Sequence, residues 1–332
     1  MAGSFLVPMD LPHLDAAIRD VDSATAEVRW VAALALAQED GARAGEAIEA
    51  LERLAEDPVE EVRAQAIEGL AGQLRSGRDA RMDVLAAALD DGSDLVRMTG
   101  LEAVELFADD PVGRVSALLD DDAPCVRIAA ARMLAELAAE SEVDRLARLL
   151  GDADGVVRRE VALALARLGD SRGEQLAIEA LDDDDASAIA AAMALGMLAS
   201  PGSVEALERA AGGWFVSAAL KGATAAALTR CGDPAGLEII SAMLESVRGS
   251  TRMAALMAVA GLPVRGAAAR IGALLGKGRS LETSSALRTL VALGEVDRDA
   301  AVAEIERHRQ GLDGELATEA AEALVALAET PR

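Results

Sequence analysis

Chemistry begins with side chains that titrate, attack or ligate, and this 332-residue chain supplies few of them. His13 and His308 are its only histidines and lie near opposite ends. Its two cysteines, Cys125 and Cys231, stand more than a hundred residues apart and fit neither a disulfide framework nor a metal-ligand spacing. Cys125 lies among carboxylates in LDDDAPCVR (119–127), where neighbouring negative charge raises a thiol pKa and weakens a nucleophile. Cys231 occupies a place that Leu168 fills in a parallel segment, so an inert core thiol is expected. GALLGKGRS (272–280) has the glycines and lysine of a phosphate loop but not the G-x-x-x-x-G-K-[ST] spacing, and a helical pattern precedes it. Asp182, Asp183, Asp184 and Asp185 cluster hard oxygen ligands, yet without the alternation and glycine of a calcium loop, and read as a solvated turn with Asp182 in register with the turn aspartates of other units. No catalytic, cofactor or metal residue is assigned, and the chain is expected not to be an enzyme.

Composition narrows the classes further. Apolar residues make up 52% of the chain and aromatics 2%, which describes a core of Ala, Leu and Val in closely packed helices. The net charge of −25 repels a duplex or an anionic membrane, so neither is expected as a partner. With 30 Arg, 2 Lys and no Asn, the arginine excess reads as genome composition, not phosphate recognition. Charge is uneven: residues 1–200 carry 41 acidic and 18 basic groups, residues 201–332 carry 16 and 14. The start, MAGSFLVPMD, has no basic segment or long apolar core, and a cytoplasmic location is expected. Residues 186–204 are uncharged, but Pro201-Gly202 breaks them and they fall in register with a repeat, so no membrane span is assigned.

That repeat positions everything else. LDDDAPCVR is echoed by LDDGSDLVR (89–97), LGDADGVVR (150–158) and, more loosely, EDPVEEVR (56–63). Hydrophobic-Arg pairs at 28–29, 62–63, 96–97, 126–127 and 157–158 recur at intervals of 34, 34, 30 and 31 residues. The apolar pattern continues the register through Ser187, Leu220, Thr251, Glu282 and Leu316, making ten units that average 32 residues. Val157, Val161, Leu165 and Leu168 place one apolar stripe on the second helix of a unit, and EVDRLARLLG (142–151) is an amphipathic first helix. Asp57-Pro58-Val59-Glu60 reads as a capping box, Asp110-Pro111 and Asp233-Pro234 open first helices, and Gly169 and Gly232 end second helices.

In four units an Asp lies six residues before the Arg: Asp57 and Arg63, Asp91 and Arg97, Asp121 and Arg127, Asp152 and Arg158. This turn-Asp, helix-Arg signature resembles HEAT repeats, in the short phycobilin-lyase-like (E-Z type) form. The resemblance implies an all-α fold, one α-solenoid or superhelix over 1–332 of about ten two-helix repeats, regular over 1–200 and degenerate over 201–332. It implies a ladder in which the Asp of one unit meets the Arg of its neighbour. Each Asp is also expected to cap its second helix for about 1 kcal/mol, and exposed pairs to add about 0–1 kcal/mol each. The function implied is a scaffold, adaptor or regulator that binds protein; the alternative is a phycobilin-lyase-like tetrapyrrole-handling enzyme. The iron-binding hydroxylase branch needs His-Glu pairs, which this chain lacks.

In such a stack the second helices line a concave face. Positions two, six and ten residues after the anchoring Val point into it: Trp30, Leu34, Met98 and Leu106 early, Ile189, Met193 and Met197 in unit six, Met253 and Met257 in unit eight. Exposed methionines suit a groove that accepts an amphipathic helix, whereas a rotation of one position would bury them as core. Trp214 and Phe215 replace an acidic turn and are either a wedge between units or anchors for a partner. The turn aspartates Asp57, Asp91, Asp121, Asp122, Asp152, Asp182, Asp183, Asp184 and Asp185 form an expected ridge of one sign that steers a basic partner.

Overall fold

The computed structural model describes residues 11–213, 216–260, 262, 267–275 and 280–329. Among them every regular element is helical, and the chain is an all-α solenoid of two-helix repeats. It divides into two compact units between Val161 and Ala162.

In the N-terminal unit, first and second helices alternate. They are α1 (Leu14–Asp20) and α2 (Ala26–Ala37), α3 (Ala44–Leu54) and α4 (Glu60–Arg75), then α5 (Met82–Ala88) and α6 (Asp94–Leu101). A short α7 (Val104–Phe107) follows, then α8 (Pro111–Ala117), α9 (Pro124–Glu136), α10 (Val143–Arg148) and α11 (Gly155–Arg167), within which the divide falls. Consecutive second helices α2, α4, α6 and α9 pack side by side. The anchoring valines Val62, Val96 and Val126 of α4, α6 and α9, and Val157 of α11, are buried because each fills the seam that the repeat creates, whereas Val28 in the first turn of α2 is 36% exposed. No single unit has enough apolar surface to fold alone, so burial between units supplies the stability.

The C-terminal unit continues with α12 (Glu174–Glu179), α13 (Asp185–Leu198), α14 (Val204–Ala211), α15 (Ala218–Arg230), α16 (Pro234–Leu244) and α17 (Gly249–Ala260). It ends with α18 (Ala268–Leu275), α19 (Ser280–His308) and α20 (Gly314–Glu329). In α19 a second helix and the following first helix run together across Asp297, whose φ of −145° and ψ of 57° break the helical path. α13, α15, α17 and α19 pack in succession. Gly196 and Gly222 make this possible: a Cβ at 196 would stand 2.9 Å from Ala227 Cα, and one at 222 would stand 3.0 Å from the Ala254 carbonyl oxygen.

The expected helix stops are present. Gly169 and Gly232 have φ of +80° and +81°, and the next amides, Asp170 and Asp233, each donate back to Leu165 O and Leu228 O at 2.9 Å. Asp110 and Asp233 cap α8 and α16, each followed by proline. The uncharged run 186–204 forms most of α13 and a 3-10 turn at Pro201–Ser203, and no helix among the described residues is long and apolar enough to cross a membrane.

Candidate functional site

The signature aspartates shape turns before they pair. Asp57 Oδ1 accepts from the Val59 amide at 2.9 Å, and Asp91, Asp121 and Asp152 accept from Ser93, Ala123 and Asp154 at 2.8 Å. Each is an Asx turn two residues long, finished before its helix starts. The expected capping box at Asp57–Glu60 is therefore corrected: α4 starts at Glu60, Val59 is its N-cap, and no side chain caps it. The other three ladder aspartates likewise hold the turn and not the helix end.

The remaining lone pairs meet the arginine of the preceding unit through both Nε and Nη2. Arg29 reaches Asp57 at 2.5 and 2.8 Å, Arg63 reaches Asp91 at 2.8 and 2.7 Å, Arg97 reaches Asp121 at 2.8 and 2.8 Å, and Arg127 reaches Asp152 at 2.9 and 2.9 Å. Nη1 of each arginine donates to a carbonyl six residues earlier in its own unit, as Arg158 does to Asp152 O at 2.6 Å. These pairs are not the exposed ones expected: their side chains are only 5–17% accessible. Burial pushes the carboxyls of Asp57, Asp91 and Asp121 up, but the guanidinium and amide bonds outweigh it and hold them below the usual range. At Asp152 the Arg127 bond dominates, with the same net direction.

The ladder continues in the C-terminal unit with a different acid. Arg252 places Nη2 at 2.9 and 2.8 Å from the Glu282 carboxylate, and its Nη1 donates to Ser246 O at 2.6 Å. Glu282 lies in the first turn of α19 and is buried, where the repeat register leads one to expect an apolar residue.

The run of four aspartates divides by position. Asp182, expected in register with the turn aspartates, is instead the last residue of a 3-10 turn, 75% exposed and 4.0 Å from Arg209. Asp183 takes the place expected of Asp182: it follows the 3-10 turn Ala180–Asp182 directly, as Asp121 follows Leu118–Asp120 and Asp152 follows Leu149–Gly151. Its side chain is exposed where those of Asp121 and Asp152 are largely covered. Asp184 caps α13, accepting from the Ala186 and Ser187 amides, and its bonds from Ser187 lower its pKa. Asp185 opens α13 and is exposed. Of the expected ridge, Asp57, Asp91, Asp121 and Asp152 are thus paired with arginine, while the side chains of Asp122, Asp182, Asp183, Asp184 and Asp185 are exposed.

The second helices of the C-terminal unit form a groove of about 330 Å³. Gly196 faces Ala227 and Gly222 faces Ala254, C-terminal half to C-terminal half and N-terminal half to N-terminal half, so α13, α15 and α17 run parallel. The groove is lined by Ile189, Met193 and Met197 of α13, by Gly222, Ala223 and Ala226 of α15, and by Met257 of α17. Arg230, the last residue of α15, lines it as well. α15, lining it with glycine and alanine from Ala219 to Ala227, is a floor between the methionine ridges formed by Met193 and Met197 on α13 and by Met257 on α17. Met193, Met197 and Met257 are 61, 50 and 74% exposed and stand on the surface, whereas Ile189 and Met253 are half-buried and pack onto the core of the unit, so the stripe divides between surface and core.

Elsewhere the sequence-predicted positions differ. Trp30, Leu34, Met98 and Leu106 are half-buried, and Trp30 packs onto the core of the N-terminal unit. These four make no comparable projecting stripe, because Trp30 lies down on its own core where Met193 and Met257 stand clear. Trp214 and Phe215 lie outside the described residues. Cys125 donates to Asp94 Oδ2 at 3.3 Å, and burial, then that carboxylate, raises its pKa; burial raises that of Cys231.

Comparison with known proteins agrees with this geometry. The HEAT-repeat family profile matches residues 12–105 and 112–189, and the chain belongs to that family. No curated protein sequence matches it. Among solved structures it is similar to YibA of Escherichia coli, with 20% identity and a TM-score of 0.50 over 75% of this chain and 92% of that one. It is also similar to the CpcE–CpcF complex of phycocyanin lyase from Nostoc sp. PCC7120, with 17% identity and a TM-score of 0.45 over 70% and 95%. These likenesses concern the fold.

Proposed function

We propose that this HEAT-repeat protein is a non-catalytic protein-interaction scaffold that holds an amphipathic helix of its partner in the groove over α15. The observation that carries the reading is the exposure of Met193, Met197 and Met257 around a floor of glycine and alanine. Large apolar side chains left in water together mark an interaction surface, and methionine adapts its shape to the side chains it receives. A floor of small residues leaves depth for the partner's own Leu, Phe or Met. Among the described residues no acid–base pair converges on the groove, whose charged lining residue is Arg230. The exposed carboxylates of Asp182 and Asp185 draw a basic partner toward the rim of α13.

A photo-crosslinking residue at Met257 tests this. It should capture one partner species, and Met193→Asp with Met197→Asp should abolish that capture while the circular dichroism of the protein is unchanged. Capture that persists in the double variant, or is equal from exposed Val325 on α20, rejects the groove as the binding surface. Loss of capture between low and high salt, and on reversing charge at Asp182 and Asp185, tests the electrostatic part.

A further inference from the structure

The groove is apolar along its length and charged differently at its two ends. On α13 the stripe Met197, Met193, Ile189 continues one turn further to Asp185, which is exposed. On α15 the stripe Gly222, Ala226 ends at Arg230, which lines the groove and is also exposed. Because α13 and α15 run parallel, Asp185 and Arg230 stand at opposite ends. Twelve residues of α13 separate Asp185 from Met197, about 18 Å at 1.5 Å per residue, which matches about three turns of a second helix.

Backbone charge reinforces the asymmetry. The N-termini of α13, α15 and α17 gather at the Asp185 end with their amide partial positive charge, and their C-termini gather at the Arg230 end with carbonyl partial negative charge. A helix lying antiparallel to α15 opposes these dipoles favourably. Its own ends then face the side chains that suit it: helices prefer acidic residues in the first turn and basic residues in the last. Antiparallel docking puts the acidic first turn beside Arg230 and the basic last turn beside Asp185. Parallel docking puts like charges together at both ends. Asp185 is available for this role because Asp184, not Asp185, caps α13. Arg230 has five N–H donors in a planar fork, enough to receive a carboxylate whatever else it touches.

Resting on the proposed function, we infer that the occupant is a three-turn amphipathic helix bound antiparallel to α15, with an acidic N-terminal turn at Arg230 and a basic C-terminal turn at Asp185. Its apolar face follows an i, i+4, i+7 pattern of long side chains that drop onto Gly222, Ala223 and Ala226 between the methionine ridges. Arg230 and Asp185 choose its direction; the methionines hold it.

Two fluorescein-labelled, hydrocarbon-stapled peptides of about fourteen residues test the direction, stapling making both equally helical. They share leucines at the same spacing; one has glutamates in its first turn and lysines in its last, and the other has the two reversed. The protein should bind the glutamate-first peptide about fivefold more tightly by fluorescence anisotropy. The double swap Asp185→Lys with Arg230→Glu should invert that preference, and circular dichroism checks that both exposed substitutions leave the fold intact. Equal affinity for the two peptides, a preference that survives the swap, or no binding of either overturns the inference. Equal affinities that both vanish in Met193→Asp with Met197→Asp would overturn the direction and leave the groove reading standing. The crosslinking result decides that reading separately.

Discussion

Arg63 and Asp91 meet through two parallel bonds, Nε at 2.8 Å and Nη2 at 2.7 Å, and the third guanidinium nitrogen of Arg63 is fixed on the Asp57 carbonyl at 2.8 Å. One side chain therefore ties its own turn to the turn of the next repeat. Asp57, whose carbonyl Arg63 holds, receives Arg29 on its carboxylate, so every rung supports the one after it. Lysine would lose this arrangement, because a point charge cannot grip a carboxylate bidentately and a carbonyl at once.

Arg97 and Asp121 form the rung for a double-mutant cycle, being among the least accessible pairs. Arg97→Ala leaves a largely buried carboxylate with only the Ala123 amide, and should cost about 2 kcal/mol; Asp121→Ala, which also loses the Asx turn, should cost as much or more. The double variant should cost less than the sum, with a coupling of about 1–2 kcal/mol. Urea midpoints of the four proteins measure it. Strict additivity would show that the bonds contribute geometry without energy.

The lowered carboxyl pKa values of Asp57, Asp91, Asp121 and Asp152 give a pH dependence with a definite sign. A carboxyl whose folded pKa lies below its unfolded value binds fewer protons when folded, so its stabilisation is complete above about pH 4, the unfolded value. It disappears as pH falls through the lower folded value. The melting temperature should hold steady down to about pH 5 and then fall steeply, and Asp121→Asn should flatten the fall. Thermal melts followed by circular dichroism between neutral pH and pH 3 measure this.

The ladder was legible because it demands identical residues in every unit: only Asp both closes the Asx turn and receives a fork, and only Arg supplies one. The rung Arg252–Glu282 was not, because its acid moved from the turn into the first turn of α19, where the register calls for an apolar residue. Four aspartates in a row hide which one takes the place of the turn aspartates, and only the 3-10 turn that ends at Asp182 gives that place to Asp183. Asp57 to Glu60 has the letters of a capping box, yet the Asx turn uses the carboxylate first. The methionine stripe was legible as a stripe. Which way it faced was not, since one position on a helix turns a side chain by about 100°. The packing of α13 and α17 against α15 settles it, and that close approach depends on neighbours 31 and 32 residues away.

Two alanines end helices where the parallel units use glycine. Ala138 and Ala199 have φ of 49° and 50°, beside Gly169 and Gly232 near 80°. The Ala139 amide donates to Leu134 O at 2.9 Å, as the Asp170 amide does to Leu165 O. A Cβ in the left-handed region costs about 1 kcal/mol, while glycine loses part of that gain to a more flexible unfolded chain. Ala138→Gly and Ala199→Gly should each stabilise by about 0.5 kcal/mol, seen as a raised urea midpoint at constant slope.

Ala226 lines the groove with Met193 and Met257 and is half-buried against the core of the unit, so an indole there should fill the space a partner needs. Ala226→Trp should cost about 1–3 kcal/mol, the usual range for added bulk at a packed position, and circular dichroism should show the variant folded in the absence of urea. The affinity for a leucine-faced helical peptide should drop by about tenfold or more, because the displaced helix loses contact with the alanine floor as well as with the ridges. Met257→Leu, which keeps volume and apolarity, should retain most of the binding. Binding that survives Ala226→Trp at full strength would place the peptide on another face.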